Sequence, residues 1–300
     1  MASTISRSHV ETFKANVFLT AHQPGDVLFP TVMVESGLSG VTHFAEQLGS
    51  GDMTAQTTRH GDSPLNELEH TRRQYSTTRY EFGLMIDHSD KVRMLTDPQS
   101  SYAVRMRQMV ERRRDQTVID VAVADALVNG GTGATATTTS LPSTQKVAVD
   151  FVESGSATNS GLTIGKLREA NRIFGENNVF NETLHLAVAQ QQLTDLLKTS
   201  EVTNTDTNVV AALVNAEIDT YVGFKFHRTQ LLTLNTTTDV RTCFAYVESG
   251  IQVGVGEERM NVDPTRSDKR FNPYMLAEID LGGTRMEEVK VVEISCDESP

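Results

Sequence analysis

The chain has 300 residues, 38% of them hydrophobic, with 27 Lys and Arg against 39 Asp and Glu for a net charge of −12. That length and apolar content exclude a disordered polymer, and no apolar run reaches the ~20 residues of a membrane helix, since Asp120 and Asp125 interrupt the longest, Val118 to Val128. The acidic balance excludes sequence-independent gripping of nucleic acid, which needs cations against phosphates. Aromatics at 6% with no Trp leave no stacking platform for single strands.

In chain order, the first forty residues read as an extended arm. Pro24 and Pro30 break any helical period between Asn16 and Val34, and the apolar residues Val17, Phe18, Leu19, Val27, Leu28 and Phe29 need a surface to dock on, either the body or another copy. The opening residues lack the basic-then-apolar layout of a secretion signal. Val41 to Ile86 reads as two long extended segments around a polar middle, the return running Thr71 to Ile86. A fifteen-residue strand would reach about 50 Å, and a hairpin that long and that polar has no core of its own.

Asp97-Pro98 marks a helix start, acid at the N-cap and proline at the first turn, with the helix expected to run from Gln99 to Asn129 and to stop at Gly130-Gly131. At 1.5 Å per residue its span is ~45 Å. Gly130 to Ser143 reads as a loop and Gln145 to Val152 as a strand. Thr163 caps a helix to about Asn177 with Ile164, Leu167, Ala170, Ile173 and Phe174 on one face. A buried strand over Leu184 to Ala189 follows, then a helix over Gln190 to Lys198, a polar loop over Thr199 to Asn208 and a helix over Val209 to Asn215. Strand signals cover Thr220 to Leu232, Thr242 to Val255 and Met275 to Leu281, the last expected to pair with Glu288 to Ser295 across a Gly282-Gly283 turn. The class is α+β.

The search for chemistry returns little. No nucleophile elbow, zinc-helix motif, phosphate loop or C-x-x-C occurs. Gly254 and Gly256 read as a glycine-containing strand rather than half a dinucleotide fingerprint. Asp87, His88 and Asp90 form a turn or cap more readily than a metal site or a hydrolase centre. His185 reads as a core histidine, and Cys243 and Cys296 as reduced thiols. No cofactor, metal or catalytic residue is expected.

The charge pattern is more informative. Arg72, Arg73 and Arg79 on the return segment lie near Glu67 and Glu69, and Arg112, Arg113 and Arg114 sit on the long helix. No lysine falls between Lys14 and Lys91, and arginine's planar fork suits bidentate pairing across an interface. These eight residues are expected to make contacts between subunits. Charge reversal at Arg72 and Arg73 is expected to leave the subunit folded while impairing assembly.

This order of elements resembles the major capsid proteins of tailed bacteriophages, whose two-domain fold is shared with encapsulins and the floor of herpesvirus shells. The residues that carry the likeness are Val222 to Leu232 and Cys243 to Gly256, similar to the family's paired late strands. Tyr274 to Ile294, with Gly283 and Arg285, is similar to its closing hairpin. The resemblance implies an N-terminal arm over 1–40, an extended loop over 41–88 and a peripheral domain with a spine helix over 89–144. An axial domain over 145–259 and C-terminal strands over 260–300 complete it. It implies a non-enzymatic shell subunit forming pentamers and hexamers of an icosahedral head around double-stranded DNA, bound without sequence specificity and without a membrane. The implied partners are a separate scaffolding protein, a portal protein at one vertex and a possible decoration protein; the protein would be made in the host bacterial cytoplasm and end in the virion. The lysine-free loop argues against an isopeptide weld, and the forty-residue arm is short for a cleaved scaffold segment. An encapsulin-like compartment is the alternative.

Overall fold

The computed structural model describes residues 25–55, 57, 59, 63, 65–85, 99–129, 135–179, 181–198, 220–266 and 270–299. The expectations for Val17, Phe18, Leu19, Asp87, His88, Asp90, the Asp97-Pro98 helix start, the Thr199 to Asn208 loop and the Val209 to Asn215 helix lie outside them.

The strands are β1 (Met33–Ser36), β2 (Thr42–Leu48), β3 (His70–Ser76), β4 (Thr78–Met85), β5 (Ala126–Val128), β6 (Thr137–Thr139), β7 (Lys146–Val147) and β8 (Leu184–Val188). The later strands are β9 (Thr220–Tyr221), β10 (Phe224–Arg228), β11 (Leu234–Asn235), β12 (Val240–Val247), β13 (Ile251–Arg266), β14 (Asn272–Arg285) and β15 (Val291–Asp297). Three α-helices accompany them among the described residues: α1 (Gln99–Val123), α2 (Ile164–Glu176) and α3 (Gln190–Lys198). They form a sheet ordered β1-β13-β14-β4, a hairpin sheet ordered β2-β3-β5-β6, and a larger sheet ordered β7-β15-β12-β8-β10-β9 with β11 on β12.

The largest core lies where the larger sheet meets α2, α3 and the second half of α1. Every residue of β8 is buried, and β12 contributes Phe244, Ala245, Tyr246 and Val247. Helix α2 forms as expected: the Thr163 side chain accepts from the Lys166 backbone N–H at 3.3 Å, and Ile164, Leu167, Ala170, Ile173 and Phe174 are buried at helical spacing. Lys166 lies on that face too, fully buried, its ammonium donating to the carbonyls of Val149, Ser160 and Ser295 at 2.7–2.9 Å. This explains a correction: only Lys146–Val147 of the Gln145 to Val152 segment is strand, because the chain then turns to bring Val149 and later Ser160 to that ammonium.

Helix α1 works in two halves. Tyr102, Met106 and Val110, each four residues apart, pack on Met275 and Ala277 of β14, while Val118, Ile119 and Ala122 enter the main core. The helix stops at Val123 rather than Asn129, and Ala126–Val128 becomes strand β5, pairing with β3 and β6. The expected loop therefore holds strand β6. An all-apolar run cannot by itself separate buried helix from buried strand.

Two further corrections concern the sheets. The return segment is not one strand: β3 pairs with β2 from Thr42↔Ser76 to Leu48↔His70, and past Thr77 the chain becomes β4 and pairs with β14 instead. Gly282-Gly283 is not a turn either. Both lie inside β14, which pairs with β13 from Ile251↔Arg285 to Arg266↔Asn272, while β15 joins β12 and β7. The glycine-containing strand at Gly254 and Gly256 forms as expected within β13. That strand then extends to Arg266, and it tolerates Pro264 where the register shifts between Asp263 and Arg266.

His185 is a core histidine with a partner. Its Nδ1 lies 2.9 Å from Nε2 of His227, and its ring stacks on Tyr246. Burial first, then the Lys225 ammonium, pushes its pKa below the usual 6.5, with Glu248 opposing. The folded state thus resists a proton that the unfolded chain accepts, so this contribution to stability is present above pH 6.5 and is lost as pH falls through the folded pKa. Melting temperature is expected to decline on acidification from about pH 7 to about pH 5, and less steeply in His185→Gln. Parallel slopes for the two proteins would remove His185 from the account.

Candidate functional site: the hairpin and its anchorage

The β2–β3 hairpin presents apolar side chains that the described residues leave uncovered. Val41, Phe44, Leu48 and Leu68 are exposed, and Met53 and Leu65, in the connection between the strands, reach 101% and 91%. A hairpin of seven residues a side is marginal by itself, and its buried residues, Ala45, Arg73 and Tyr75, are those next to the body of the subunit. What holds it lies at its base.

There the hairpin crosses the β13–β14 ladder over glycines. Gly254 and Gly282 are directly opposed in register, and Gly283 follows. A Cβ on Gly282 would lie 2.3 Å from the Ser76 carbonyl oxygen, and one on Gly254 would lie 2.4–2.9 Å from Leu38 and the Tyr75 ring. At Gly282 only glycine admits backbone this close, and at Gly254 it leaves room for the Leu38 and Tyr75 side chains. Tyr75 is buried and donates to Glu35 at 3.0 Å, while Gln252 donates to the same oxygen at 2.7 Å. Burial, then the Glu35 hydrogen bond and charge, push the Tyr75 phenol well above its usual range.

A second anchor uses Arg73, whose Nη2 donates to Glu288 at 2.8 Å and whose Nε donates to Gln47 at 3.2 Å. Gln47 in turn donates to the Met286 carbonyl at 2.5 Å. On the far side of Glu288 lies Arg285, its side chain fully buried, donating to the carbonyls of Ala122, Ala124 and Thr139 at 2.7–3.3 Å. Those first two carbonyls are at the end of α1, so Arg285 caps the helix.

The N-terminal segment is tied to α1 by carboxylates. Fully buried Asp115 accepts from the backbone N–H groups of Val27, Leu28 and Phe29 at 3.0–3.1 Å, and Glu111 accepts from Gly25 at 3.0 Å. Leu28 is thereby buried in the subunit's own core.

The eight charged residues singled out in the sequence divide in two. Arg73, Arg79, Arg113 and Arg114 find partners inside the chain. Arg79 forks onto Asp280 with two bonds of 2.9 Å and holds that carboxyl below its usual range. Arg113 lies over the Tyr80 ring and donates to its hydroxyl at 2.8 Å. Arg114 joins Asp26 and Glu258 and covers Phe29. Charge reversal at Arg73 would therefore set a carboxylate against Glu288 in a buried place, so the earlier expectation for the Arg72 and Arg73 pair is corrected to Arg72. Arg72 covers the Phe44 ring, opposite Glu46. Glu67, Glu69 and Arg112 are exposed with no ion-pair partner among the described residues. Sequence reasoning missed Gln47, Glu288, Asp115 and the capping role of Arg285. A lone aspartate at the apolar end of an arginine run was the one available signal.

Catalytic geometry is sparse. A polar cleft of about 690 Å³ holds Gln190, Asp195, Arg241 and Glu298, but Arg241 forks Glu298 at 2.5 and 3.0 Å. Burial works against that carboxylate, yet the bonds from Arg241 and Gln192 outweigh it and hold its pKa low. Such a group is a structural anion, the tie of the C-terminus to α3. Among the described residues no cluster of three or more His, Cys, Asp or Glu has the geometry to hold a metal, and no helix is long and apolar enough to cross a membrane.

The sequence matches the family model described as phage capsid protein over residues 5–298. The chain belongs to the phage capsid protein family. Its fold is that of tailed-phage capsids. The capsid of cyanophage P-SCSP1u superposes with a TM-score of 0.73 at 15% identity, covering 100% of this chain and 96% of that one. The capsid of Ralstonia phage GP4 gives 0.69 at 11% identity and covers 100% of both chains. The head of Helicobacter pylori bacteriophage KHP40 gives 0.68 at 10% identity and covers 99% of both. At such identities the likeness establishes the fold. No curated protein matches the sequence. The hairpin base, the glycine crossing and the Arg285 cap are thus parts of a capsid protein, a structural component of the virion shell.

Proposed function

We propose that copies of this capsid protein form pentamers and hexamers that close an icosahedral head around double-stranded DNA, acting without catalysis. The observation that carries the reading is the hairpin, whose exposed Phe44, Leu48, Met53, Leu65 and Leu68 need cover that the described residues do not supply. A second copy supplies it, and head-to-tail contacts of that kind make rings when they close. The net charge of −12 suits a wall that encloses DNA without gluing to it. In this reading the protein is made in the host cytoplasm, with a scaffolding protein guiding assembly, a portal at one vertex and a decoration protein as a possible addition. Residues 1–40, 41–88, 89–144, 145–259 and 260–300 serve as arm, extended loop, peripheral domain, axial domain and closing strands.

Glu67, Glu69, Arg72 and Arg112 are the charges left for contacts between subunits. The double variant Glu67→Lys, Glu69→Lys is expected to melt within about 0.5 kcal/mol of wild type as a subunit, since both side chains are exposed, yet to assemble poorly. Calorimetry of the subunit and electron microscopy of the particles check this. Unchanged assembly and an unchanged particle melt would make them solvated charges only. Imaging also separates the readings: DNA-filled heads with a portal vertex support the head, and small protein-filled spheres support an encapsulin-like compartment.

A further inference from the structure

We infer that Arg73 is a positioning residue: its pairing with Glu288 sets the angle at which the hairpin leaves the subunit, and through that angle the curvature of the shell. The second half of this statement rests on the shell reading above.

The glycines hold the hairpin close, while its β3 strand is tied to the body by the Tyr75–Glu35 bond and by pairing with β5, leaving β2 as the strand still to be oriented. Gly254 and Gly282 offer Tyr75, Ser76 and Thr77 a surface without side chains, so no glycine interdigitates there to fix a rotation. Orientation needs directional contacts away from that pivot. For β2 Arg73 supplies them, because one planar guanidinium holds Gln47 of β2 and Glu288 of the segment after β14 at once. Gln47 completes the brace on the Met286 carbonyl.

The charges indicate that this brace is not there to stabilise the subunit. The Glu288 carboxylate faces two guanidiniums, Arg73 and Arg285, whose side chains are 7% and 0% exposed. Arg285 alone neutralises it. Adding Arg73 leaves a buried excess of positive charge, and Asp125, the other carboxylate acting on Arg285, is exposed to water. Arg73 Nη1, Arg285 Nε and Glu288 Oε1 are buried without hydrogen-bond partners. Removing Arg73 therefore relieves an electrostatic cost, whereas removing Glu288 exposes one; a group with that balance contributes specificity of geometry.

The test compares Arg73→Met with Glu288→Gln. Arg73→Met keeps the apolar stem and is expected to melt within ~3 °C of wild type, while Glu288→Gln leaves two facing guanidiniums and falls by roughly 10 °C. Arg73→Met particles are expected to spread over several diameters in electron micrographs, with Arg73→Lys intermediate because a point charge restores the pair without the fork. On the subunit itself, spin labels at Leu65→Cys and Asn235→Cys should give one narrow distance in wild type and a broad one with Arg73→Met. An unchanged label distance, or a melting loss in Arg73→Met as large as in Glu288→Gln, overturns the positioning role. Broadened distances in a subunit that forms no particles keep it and overturn the shell reading instead.

Discussion

Replacing Arg285 by methionine is expected to destabilise the subunit by about 3–5 kcal/mol and to lower its melting temperature by roughly 10 °C. The guanidinium is fully buried and is the hydrogen-bond donor that reaches the carbonyls of Ala122 and Ala124 at the end of α1 and of Thr139 in β6. Methionine fills the stem but donates nothing, so buried carbonyls lose their partner, and each loss costs on the order of 1–3 kcal/mol. Arg285→Lys should fall between, because a single ammonium replaces the two separate nitrogens that reach Ala122 and Ala124 on one side and Thr139 on the other. The charges sharpen the prediction. With Arg285 gone, Glu288 keeps Arg73 at 2.8 Å, so the loss measures the helix cap and not an abandoned carboxylate. A thermal or denaturant melt of purified Arg285→Met that overlays wild type would show that α1 ends where it does for another reason.

Gly282→Val is expected to be as damaging by a different mechanism. The atoms a Cβ would meet are the Ser76 carbonyl oxygen at 2.3 Å, its carbon at 2.9 Å and Thr77 Cα at 3.0 Å, all backbone. No rotamer change relieves that clash. The hairpin must lift off the sheet, giving up the Tyr75–Glu35 and Arg73–Glu288 contacts together. Overpacking of a rigid contact costs on the order of 1–3 kcal/mol, and the lost Tyr75–Glu35 anchor adds to it, so the subunit should resist only mild denaturant and form no regular shell. Gly175→Ala is the control: it sits in α2 with nothing within 4 Å of its Cβ, and should raise stability by about 0.5–1 kcal/mol. A Gly282→Val subunit as stable as the control variant would mean the hairpin does not rest on these glycines.

Much of the local structure was legible because its causes are local. The Thr163 cap and the spacing of Leu167, Ala170 and Phe174 specify α2 without reference to anything distant. The apolar run of β8 announces a strand buried on both faces. The long helix was legible in its middle and misread at its end, because its terminus depends on a side chain more than 150 residues away, |i−j| being 163 for Arg285 and Ala122. Gly282-Gly283 failed for a related reason. The dipeptide signals a turn when neighbours in sequence are the only consideration, but here Gly282 makes room for the chain at Ser76 and Thr77, and Gly283 for the Gln252 carbonyl and Val121 of α1.

The arginines show the same division in the candidate site. Their abundance around the hairpin and the absence of lysine were evident in the composition, and both pointed to forked ion pairs. Around the hairpin one fork forms, Arg79 on Asp280, while Arg73 meets Glu288, Arg114 meets Asp26 and Glu258, and Arg113 lies on Tyr80, all of the same chain. By itself, then, the amino-acid sequence determined the class of the fold and the apolar faces, which follow from periodicity and capping chemistry, while the capsid family was legible as a resemblance and shown by the family-model match. Which carboxylate each arginine meets, where α1 stops and which strand Gly282 lets past were decided by the tertiary structure, because each depends on a contact between residues far apart in the chain, and local pattern carries no information about that distance.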